Sequence, residues 1–434
     1  MSRNQCRLPR LAKRLVNVSV VLSLLALALH LRAQDQTIAQ MIHTSWTGRD
    51  GAPQGITALA QTRDGILWIG GISGLFTFDG VNFAPFNPKP GSPSLPVSPI
   101  RFLFVSKSGE LWVSPFHGAA ICIHGGEAQL YGRVEGDHLD VIGQVQQDAS
   151  GILWSVLNEK HLVRLGFDGI WHEVANPTRS SGHVSKLYID SNNTQWVVED
   201  NLLYTRPQGE TEFIATTVNV YGPAKIVEDP DRSLWVMGEG PTPAGAVNLQ
   251  HVDRVGRRLF APQVYGQINT ILVAPDDSLW VNKNEELQRF SARAISRDYS
   301  GPRKNDSDFY RLKNGPTAYG LQALLSDADG NMWIGGMGGL DRFEHANLVP
   351  ALPGTKVGAW HSCVDSQGEV WVIDADDQLF VIKNGQTSLI HSWKGPSNLF
   401  CGQEKRGIWR FSCSNRVPPV HSRGRGELHS ESPP

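Results

Sequence analysis

The chain lacks the features of most catalytic and nucleic-acid-binding classes. Its formal net charge is −2, charged residues make up 19% of it, and the basic residues are scattered along the chain. A nucleic-acid binder would carry a basic stripe or patch, so we predict no nucleic-acid partner. Neither a phosphate-binding glycine loop nor a serine nucleophile elbow occurs in the sequence. No catalytic residue is therefore predicted.

Cysteine is scarce, with five among 434 residues. The cysteines form no Cys-x-x-Cys pair, metal-ligand spacing or haem-attachment motif. His117 and His124 are seven residues apart, which is not a metal-ligand spacing either. We therefore predict no metal and no cofactor. Buried free thiols are the favoured interpretation of the cysteines, and a Cys363–Cys401 disulfide is the alternative that an extracytoplasmic setting allows.

Long hydrophobic runs are absent except at the N-terminus. Residues 15–29 are mostly apolar and follow a segment rich in arginine and lysine. This pattern predicts a Sec-type signal peptide over residues 1–33 and a periplasmic or extracytoplasmic mature chain. A retained signal anchor is the alternative, because the small residue normally found two positions before Ala33 is missing. Contact with a membrane is expected only through this segment, if it stays uncleaved.

Tryptophan and glycine are plentiful, and the tryptophans recur at intervals of 38 to 53 residues. Each stands in a block that reads roughly Asp/Ser-x-x-Gly-x-Leu-Trp-Val/Ile. A period near 40 residues with one aromatic per unit is typical of a repeat architecture. The nine repeated tryptophans are Trp68, Trp112, Trp154, Trp196, Trp235, Trp280, Trp333, Trp371 and Trp409.

The first repeat, residues 56–83, shows what one unit builds. Four runs rich in β-forming residues are separated by Asp64-Gly65, a glycine-rich connection and Asp79-Gly80, which are turn signals. Residues 66–69 are apolar on both faces, as expected for a sheet covered on both sides. The sequence thus predicts an all-β protein, a β-propeller of four-stranded antiparallel blades. The repeated tryptophans are interpreted as packing elements between blades.

An aspartate or a related polar residue precedes the first turn of most repeats. One interpretation is a ring of functional carboxylates. The favoured one is structural, because an Asp three residues before Gly or Asn caps a turn through backbone amides. In the fourth repeat Asn193 stands where glycine is usual, and Asn also tolerates the left-handed backbone conformation.

The unit Ile-x-Ala-Leu-x-Gln, followed by Asp-Gly-Ile-Leu-Trp-Ile-Gly and by Gly-Leu-x-x-Phe-Asp-Gly, resembles the two-component regulator propeller repeat. Trp46-Thr-Gly-Arg-Asp50-Gly-Ala-Pro53 looks like the opening segment of that family. The resemblance extends over about residues 40–412. It implies the periplasmic sensor region of a hybrid histidine kinase, many of which are paired seven-bladed propellers that recognise carbohydrate-derived signals.

The number of repeats departs from that family. Fourteen repeats are usual and nine are present, with no kinase or receiver sequence after them. We therefore expect seven blades over residues 40–350, an incomplete two-blade extension over 351–414, and a polar, proline-rich, disordered tail over 415–434. A truncated sensor is the favoured hypothesis, and a free-standing propeller is the alternative.

The ligand site is predicted on the propeller face that carries two sets of connections. These are the connections that follow each tryptophan strand and those that lead into each first strand. Solvated loop residues are the simpler interpretation for any one of the polar side chains there. The candidates for binding a small molecule or carbohydrate are His117, Asn158, Lys160, Glu199, Asn201, Asn282 and Lys283.

Two functions from different classes are compatible with the sequence. The first is a non-enzymatic sensor propeller that binds a ligand and signals through a homodimer or a sensor-kinase partner. The second is a propeller enzyme similar to streptogramin lyase, whose blades also carry Asp-x-x-Gly-x-x-Trp units. That enzyme needs a histidine facing the pore and a metal.

Overall fold

The computed structural model describes most of residues 37–346 and shorter stretches after them. The described residues are 37–96, 98–134, 141–178, 182–238, 240, 249–259, 268–283, 286–295, 307–311, 323–346, 357–364, 369–374, 376, 378–383, 386–392, 397–399, 411–413, 420–422 and 428–430. The predicted signal segment 1–33 and Trp409 lie outside them. No helix in this described part of the chain is long and apolar enough to cross a membrane.

The chain divides into two compact units, and Met41–His345 is the larger. It begins with strand β1 (Ile42–Thr47) and a short 3₁₀ helix (Gly48–Asp50). Seven antiparallel sheets follow among its described residues, numbered here blade 1 to blade 7. Blade 1 consists of β2 (Ile56–Gln61), β3 (Leu67–Gly71), β4 (Gly74–Phe78) and β5 (Phe83–Pro85); blade 2 of β6 (Ile100–Val105), β7 (Leu111–Pro115), β8 (Ala120–His124) and β9 (Glu127–Tyr131); blade 3 of β10 (Gln146–Gln147), β11 (Leu153–Leu157), β12 (His161–Leu165) and β13 (Trp171–Val174).

The remaining blades repeat this order. Blade 4 consists of β14 (Val184–Ile189), β15 (Gln195–Glu199), β16 (Leu202–Arg206) and β17 (Ile214–Asn219); blade 5 of β18 (Ala224–Glu228), β19 (Leu234–Gly238) and β20 (Leu249–Val252); blade 6 of β21 (Thr270–Val273), β22 (Leu279–Lys283), β23 (Glu286–Phe290), the short helix α1 (Ala292–Ile295) and β24 (Ser307–Arg311); blade 7 of β25 (Ala323–Ser326), β26 (Met332–Gly336) and β27 (Gly339–Glu344). The prediction of an all-β propeller with four-stranded antiparallel blades is confirmed.

Tight turns between the first and second strands of each blade make this topology possible. Gly65 in blade 1 has φ 85° and Asn193 in blade 4 has φ 63°, so both adopt the left-handed conformation. Glycine and asparagine reach this region at little cost. The prediction that Asn193 replaces glycine at its turn is confirmed.

The N-terminal strand completes the last blade. β1 pairs antiparallel with β27, from Ile42 opposite Glu344 to Thr47 opposite Gly339, and so becomes the outer strand of blade 7. Trp46 of β1 and Trp333 of β26 join one apolar cluster with Ile56 and Phe78 of blade 1. The first and last blades are therefore packed together, and strands from both ends of the unit share one sheet.

The core of this unit consists of separate clusters between neighbouring blades. The repeated tryptophan of a blade lies in the cluster shared with the next blade, as Trp196 of blade 4 does with Ala224 and Ile226 of blade 5. Burying a large aromatic ring contributes about 2–3 kcal/mol. Trp68, Trp112, Trp154, Trp235 and Trp333 occupy the equivalent places, and Trp280 lines a small cavity together with Met332 of blade 7.

The second unit comprises Met1–Gln40 and Ala346–Pro434. It contains a 3₁₀ helix (Ile38–Gln40) and a four-stranded sheet of β28 (Val357–Val364), β29 (Val370–Asp374), β30 (Gln378–Lys383) and β31 (Gln386–Ser392), with Trp371 buried on β29. Two short hairpins follow, β32 (Ser397–Leu399) with β33 (Phe411–Cys413), and β34 (Val420–Ser422) with β35 (Leu428–Ser430). The second hairpin lies within residues 415–434, where we expected a disordered tail.

Candidate functional site

The first turn of each blade lies at the end of the sheet that we call the turn face. Asp190 shows how its polar residue is used. One carboxylate oxygen, Oδ1, accepts hydrogen bonds from the amides of Asn192 (2.9 Å) and Thr194 (2.8 Å). The other, Oδ2, accepts one from the indole Nε1 of Trp196 (2.9 Å). The carboxylate therefore fixes both the turn and the buried ring.

The same indole bond recurs in other blades. The aspartate six residues before the tryptophan accepts from Nε1 in the pairs Asp148–Trp154 (2.9 Å), Asp229–Trp235 (2.8 Å) and Asp327–Trp333 (2.7 Å). Hydroxyl groups replace it in Thr62–Trp68 and Ser278–Trp280, both at 2.9 Å. These contacts give the aspartates a structural role, and they add the indole bond to the turn capping that the sequence suggested.

The opposite end of the blades, the loop face, joins two kinds of connection. The turn after β11 is bonded to the segment that leads into β10, because the amide of Asn158 donates to the Val141 carbonyl (2.9 Å) and the amide of Val141 donates to Asn158 Oδ1 (3.0 Å). The amide of Asp200 likewise donates to the carbonyl of His183, which leads into β14 (3.0 Å). Both kinds of connection thus share one face, as the propeller topology predicts.

A charged cluster from three blades lies on the loop face. Arg101 of β6 bonds to Glu159 in the turn after β11, with 2.6 Å between Nη1 and Oε1. His183, before β14, places Nε2 3.3 Å from the other oxygen of Glu159. Hydrogen bonding by Arg101 holds the pKa of Glu159 below its usual value, so the carboxyl is ionised at neutral pH. The side chains of Glu159 and His183 are 49% and 60% exposed, so incoming ligands have access to both.

Aromatic rings border this cluster. The guanidinium carbon of Arg101 lies 5.2 Å from the ring centre of Phe102 and 5.3 Å from that of Phe116. Phe116 is an exposed large apolar side chain. A cation next to open aromatic faces can bind polar groups and also planar or apolar faces of a ligand. We call Arg101, Phe102, Phe116, Glu159 and His183 the loop-face cluster.

Several predicted site residues lie close to this cluster. His117 is exposed, and its ring centre is 6.4 Å from that of Phe116. Asn158 and Lys160 are exposed and flank Glu159 in the same turn. Asn201 is exposed in the equivalent turn of blade 4, with φ 65°. Their binding role stays a prediction.

Two other candidates are buried. Glu199 and Asn282 are fully covered, although each ends or nearly ends a tryptophan strand on the loop face. Glu199 accepts from the Thr178 amide through Oε2 (2.9 Å), whereas its Oε1 has no partner in the residues that the structure describes. Neither Nδ2 nor Oδ1 of Asn282 has a hydrogen-bond partner among the described residues. Lys283 is half-buried and pairs with Glu286 (3.1 Å). The structure therefore does not bring all seven candidates together.

The sequence-based prediction missed Arg101, Phe116 and His183 as site residues. Arg101 belongs to a first strand, and only the tertiary structure aligns it with a turn 58 residues later. For Glu159, the residue type at its turn position was a signal in the sequence that could have indicated a functional role. Glu159 follows Asn158 in a two-residue turn in which both residues have positive φ, 52° and 55°, and a glutamate is unusual there.

Asp229, Asp231 and His251 of blade 5 form a second polar group. One ligand-type atom from each lies within 4.8 Å of the others, a convergence that the described residues show once. These atoms already have protein partners: Asp229 accepts from Trp235, and His251 Nε2 lies 2.5 Å from the Ser233 hydroxyl. Burial and the nearby carboxylate of Asp231 raise the pKa of Asp229 above its usual value. The group is accounted for by hydrogen bonding around Trp235.

Comparison with known proteins agrees with this architecture. Residues 50–73 match the two component regulator propeller family. The match covers β2, β3 and the turn between them, so the resemblance of the repeat is confirmed. No curated protein matches the chain.

Solved structures with the same fold are distant in sequence. The extracellular domain of a hybrid two component system from B. thetaiotaomicron shares 14% identity at a TM-score of 0.63, covering 90% of this chain and 54% of that one. This chain thus spans about half the length of that domain. Virginiamycin B lyase from Staphylococcus aureus shares 13% identity at a TM-score of 0.53, covering 70% of this chain and 98% of the lyase. A streptogramin B lyase shares 13% identity at 0.54, covering 71% and 99%.

Proposed function

We propose that this chain is an extracytoplasmic ligand-sensing propeller of a two-component signalling system. The observation that carries the proposal is the loop-face cluster. It combines an accessible Arg101–Glu159–His183 network with an exposed aromatic ring on the face where the connections of several blades meet. The match of residues 50–73 to the two component regulator propeller supports the signalling context.

The chemistry of the cluster fits a small polar ligand, with a carbohydrate as the leading class. Charged groups that are already hydrogen-bonded to one another present donors and an acceptor in a fixed geometry, which lowers the entropy cost of binding. Phe116 offers an apolar face on which a sugar ring can pack. Glu159 stays ionised because of Arg101, so the cluster keeps an acceptor at neutral pH.

Thermal unfolding in the presence of a panel of mono- and oligosaccharides tests this proposal. A ligand that binds only the folded chain raises the melting temperature according to its concentration relative to Kd. We expect at least one saccharide class to raise it, and we expect R101A and H117A to abolish the shift. R254A is the matched control, because Arg254 is an exposed arginine on a turn-face hairpin of blade 5. A shift that survives R101A, or that R254A also removes, contradicts a site at the loop-face cluster.

A lyase-like propeller enzyme is the second candidate, and the similarity to the two lyase structures favours it. Turnover of a panel of glycans and lactones, with and without added divalent metal, separates the two functions. The sensor proposal expects binding without turnover. Measurable turnover that H117A abolishes would establish the enzyme instead.

Export and signalling partners belong to the same proposal. The N-terminal pattern of basic residues and residues 15–29 supports export, and N-terminal sequencing of the protein recovered from the periplasm should begin after Ala33. A mature chain that starts at Met1 and sediments with membranes would establish the signal anchor. Light scattering with and without ligand tests whether signalling uses a homodimer.

A further inference from the structure

A hydrogen bond across neighbouring blades recurs on the turn face, and we call it the latch. The backbone amide five residues before the tryptophan of one blade donates to a side-chain oxygen of the next blade. In three junctions the acceptor stands seven residues before the next tryptophan. The pairs are Lys107 with Gln147 (2.8 Å), Ser191 with Glu228 (2.8 Å) and Ala328 with Gln61 (2.9 Å), and Ala149 uses Asn193 (2.6 Å) in the same way.

Among the described residues, blade 6 is the blade with no latch on either side; the junction of blades 1 and 2 also lacks one, because Val105 stands at its acceptor position. At its junction with blade 5 the donor position is Pro230 and the acceptor position is Val273. At its junction with blade 7 the donor position is Pro275 and the acceptor position is Ser326. Proline has no amide hydrogen and valine has no acceptor. The Ser326 hydroxyl is buried, and no described residue forms a hydrogen bond with it.

An open groove of about 570 Å³ on the turn face extends along these two junctions and reaches the latched junction of blades 4 and 5. Its lining includes Pro230, Val273, Pro275 and Ser326, the four residues that replace the latch, together with Ser191 and Glu228 of the neighbouring latch. Valine and serine are shorter than the glutamine or glutamate of the latched junctions, so less side-chain volume fills this part of the turn face. Side chains that border an open groove make fewer packing contacts than side chains at a filled junction.

We infer that blade 6 is the place where the propeller opens: its strands separate from blades 5 and 7 before the other blades separate from their neighbours. Local opening of this kind selects the units with the fewest stabilising contacts. Blade 6 also carries Asn282 and Lys283, so its opening would rearrange the loop face. That consequence rests on the proposed function, whereas the opening itself does not.

Native-state amide hydrogen exchange, followed by mass spectrometry on the full chain without ligand, tests the opening. We expect amides of β21 and β22 to exchange through a lower-energy opening than the equivalent amides of β14 and β15 in blade 4, which is latched on both sides. One hydrogen bond contributes about 0.5–1.5 kcal/mol, which corresponds to about a 2- to 10-fold difference in opening for each missing latch. Equal or slower exchange in blade 6 overturns the inference.

Restoring one latch gives the second test. P275A supplies the amide, S326Q supplies the acceptor, and only the double variant P275A/S326Q completes the pair. We expect the double variant to slow exchange in β22 and β26 by about 2- to 10-fold beyond the product of the single effects. A double variant that equals this product contradicts the inference.

Q147A serves as the reciprocal control, because it removes a latch between blades 2 and 3. It should accelerate exchange at that junction and leave blade 6 unchanged. Global acceleration would instead show that the latches do not act locally, which also overturns the inference. Each measurement needs no ligand, so its failure is distinguishable from failure of the sensor proposal.

Discussion

Asn282 carries a side-chain amide that is fully buried, and within the described part of the chain neither of its polar atoms has a hydrogen-bond partner. Burying an unpaired polar group costs about 1–3 kcal/mol. Replacing Asn282 with leucine, which is similar in size, should therefore raise the free energy of unfolding by about 1–3 kcal/mol. Urea denaturation measures this change.

The exposed Asn87 provides the control for that substitution. N87L should change the unfolding free energy by less than about 0.5 kcal/mol, because surface substitutions away from special features are nearly neutral. If N282L destabilises the chain, the amide has a partner in solution and the interpretation of the buried site is wrong. If N282L is more stable and also loses the saccharide response, the buried amide supports the ligand site and is retained at the expense of stability.

The contacts of Asp276 predict how the stability of the fold depends on pH. Burial favours the neutral carboxyl, but hydrogen bonds from Ser278 and Arg289 outweigh it, and together they hold the pKa of Asp276 below its usual value. Arg289 is almost fully buried and lies 2.9 Å from Asp276. Because the carboxyl has a lower pKa in the folded chain than in the unfolded one, it stabilises the fold above the unfolded pKa, and this contribution is lost as the pH falls.

D276N should remove this pH dependence. The variant should be less stable than the parent chain near neutral pH, because Arg289 loses a charged partner, and its stability should fall less between about pH 5 and about pH 3. Urea midpoints over that range measure both effects. Parallel pH profiles for the two proteins would mean that Asp276 does not contribute to acid destabilisation.

At the scale of the element, the blade turn is held by one carboxylate. Asp190 binds two backbone amides and the Trp196 indole, so D190A leaves all three donors without their acceptor. We expect a loss of about 2–4 kcal/mol in the free energy of unfolding, since hydrogen bonds to charged groups are worth about 1.5–3 kcal/mol. Thermal or urea unfolding measures the loss.

D190N tests how much of the stabilisation by Asp190 depends on the charge and the second oxygen of its carboxylate. Asparagine keeps one acceptor oxygen. The decrease in the free energy of unfolding should therefore be smaller for D190N than for D190A. Neither variant should alter saccharide binding beyond what lower stability explains, because Asp190 is on the turn face. A selective loss of saccharide binding would instead support the interpretation of these aspartates as functional carboxylates.

The strands of a repeat follow closely from its sequence. Turn signals at Asp64-Gly65 and Asp79-Gly80 predict breaks that agree with the ends of β2, β4 and the start of β5 to within a few residues. Local chemistry suffices here because a tight turn needs only residues that tolerate its dihedral angles. The indole bond of Asp190 was not foreseen, because it depends on how the ring of the following strand is oriented.

At the scale of the whole molecule, β1 joins the two ends of the larger unit. Trp46 lies 5.2 Å from the ring of Phe78 in blade 1 and 5.7 Å from that of Trp333 in blade 7. W46A should lower the free energy of unfolding by about 2–4 kcal/mol, since it removes a large side chain between the first and last blades. Thermal unfolding of the full chain measures this.

An exposed position on the same strand provides the control. Ile42 is 52% exposed, so I42S should cost less than about 1 kcal/mol. If W46A were as mild as I42S, pairing of β1 with β27 would be the main link between the blades, and the tryptophan would add little. Deleting residues 1–47 should then still destabilise the chain strongly.

The sequence by itself determined the repeat, the four-stranded blade, the turns and the packing role of the tryptophans. All of these features depend on residues within about 40 positions of one another, and the same residue pattern occurs in each repeat. The tertiary structure alone decided how Met41–His345 is completed by β1, which blades lack the latch, and that Arg101, Glu159 and His183 meet. Those contacts join residues from different repeats, and their positions are fixed only when every blade is packed against its neighbours.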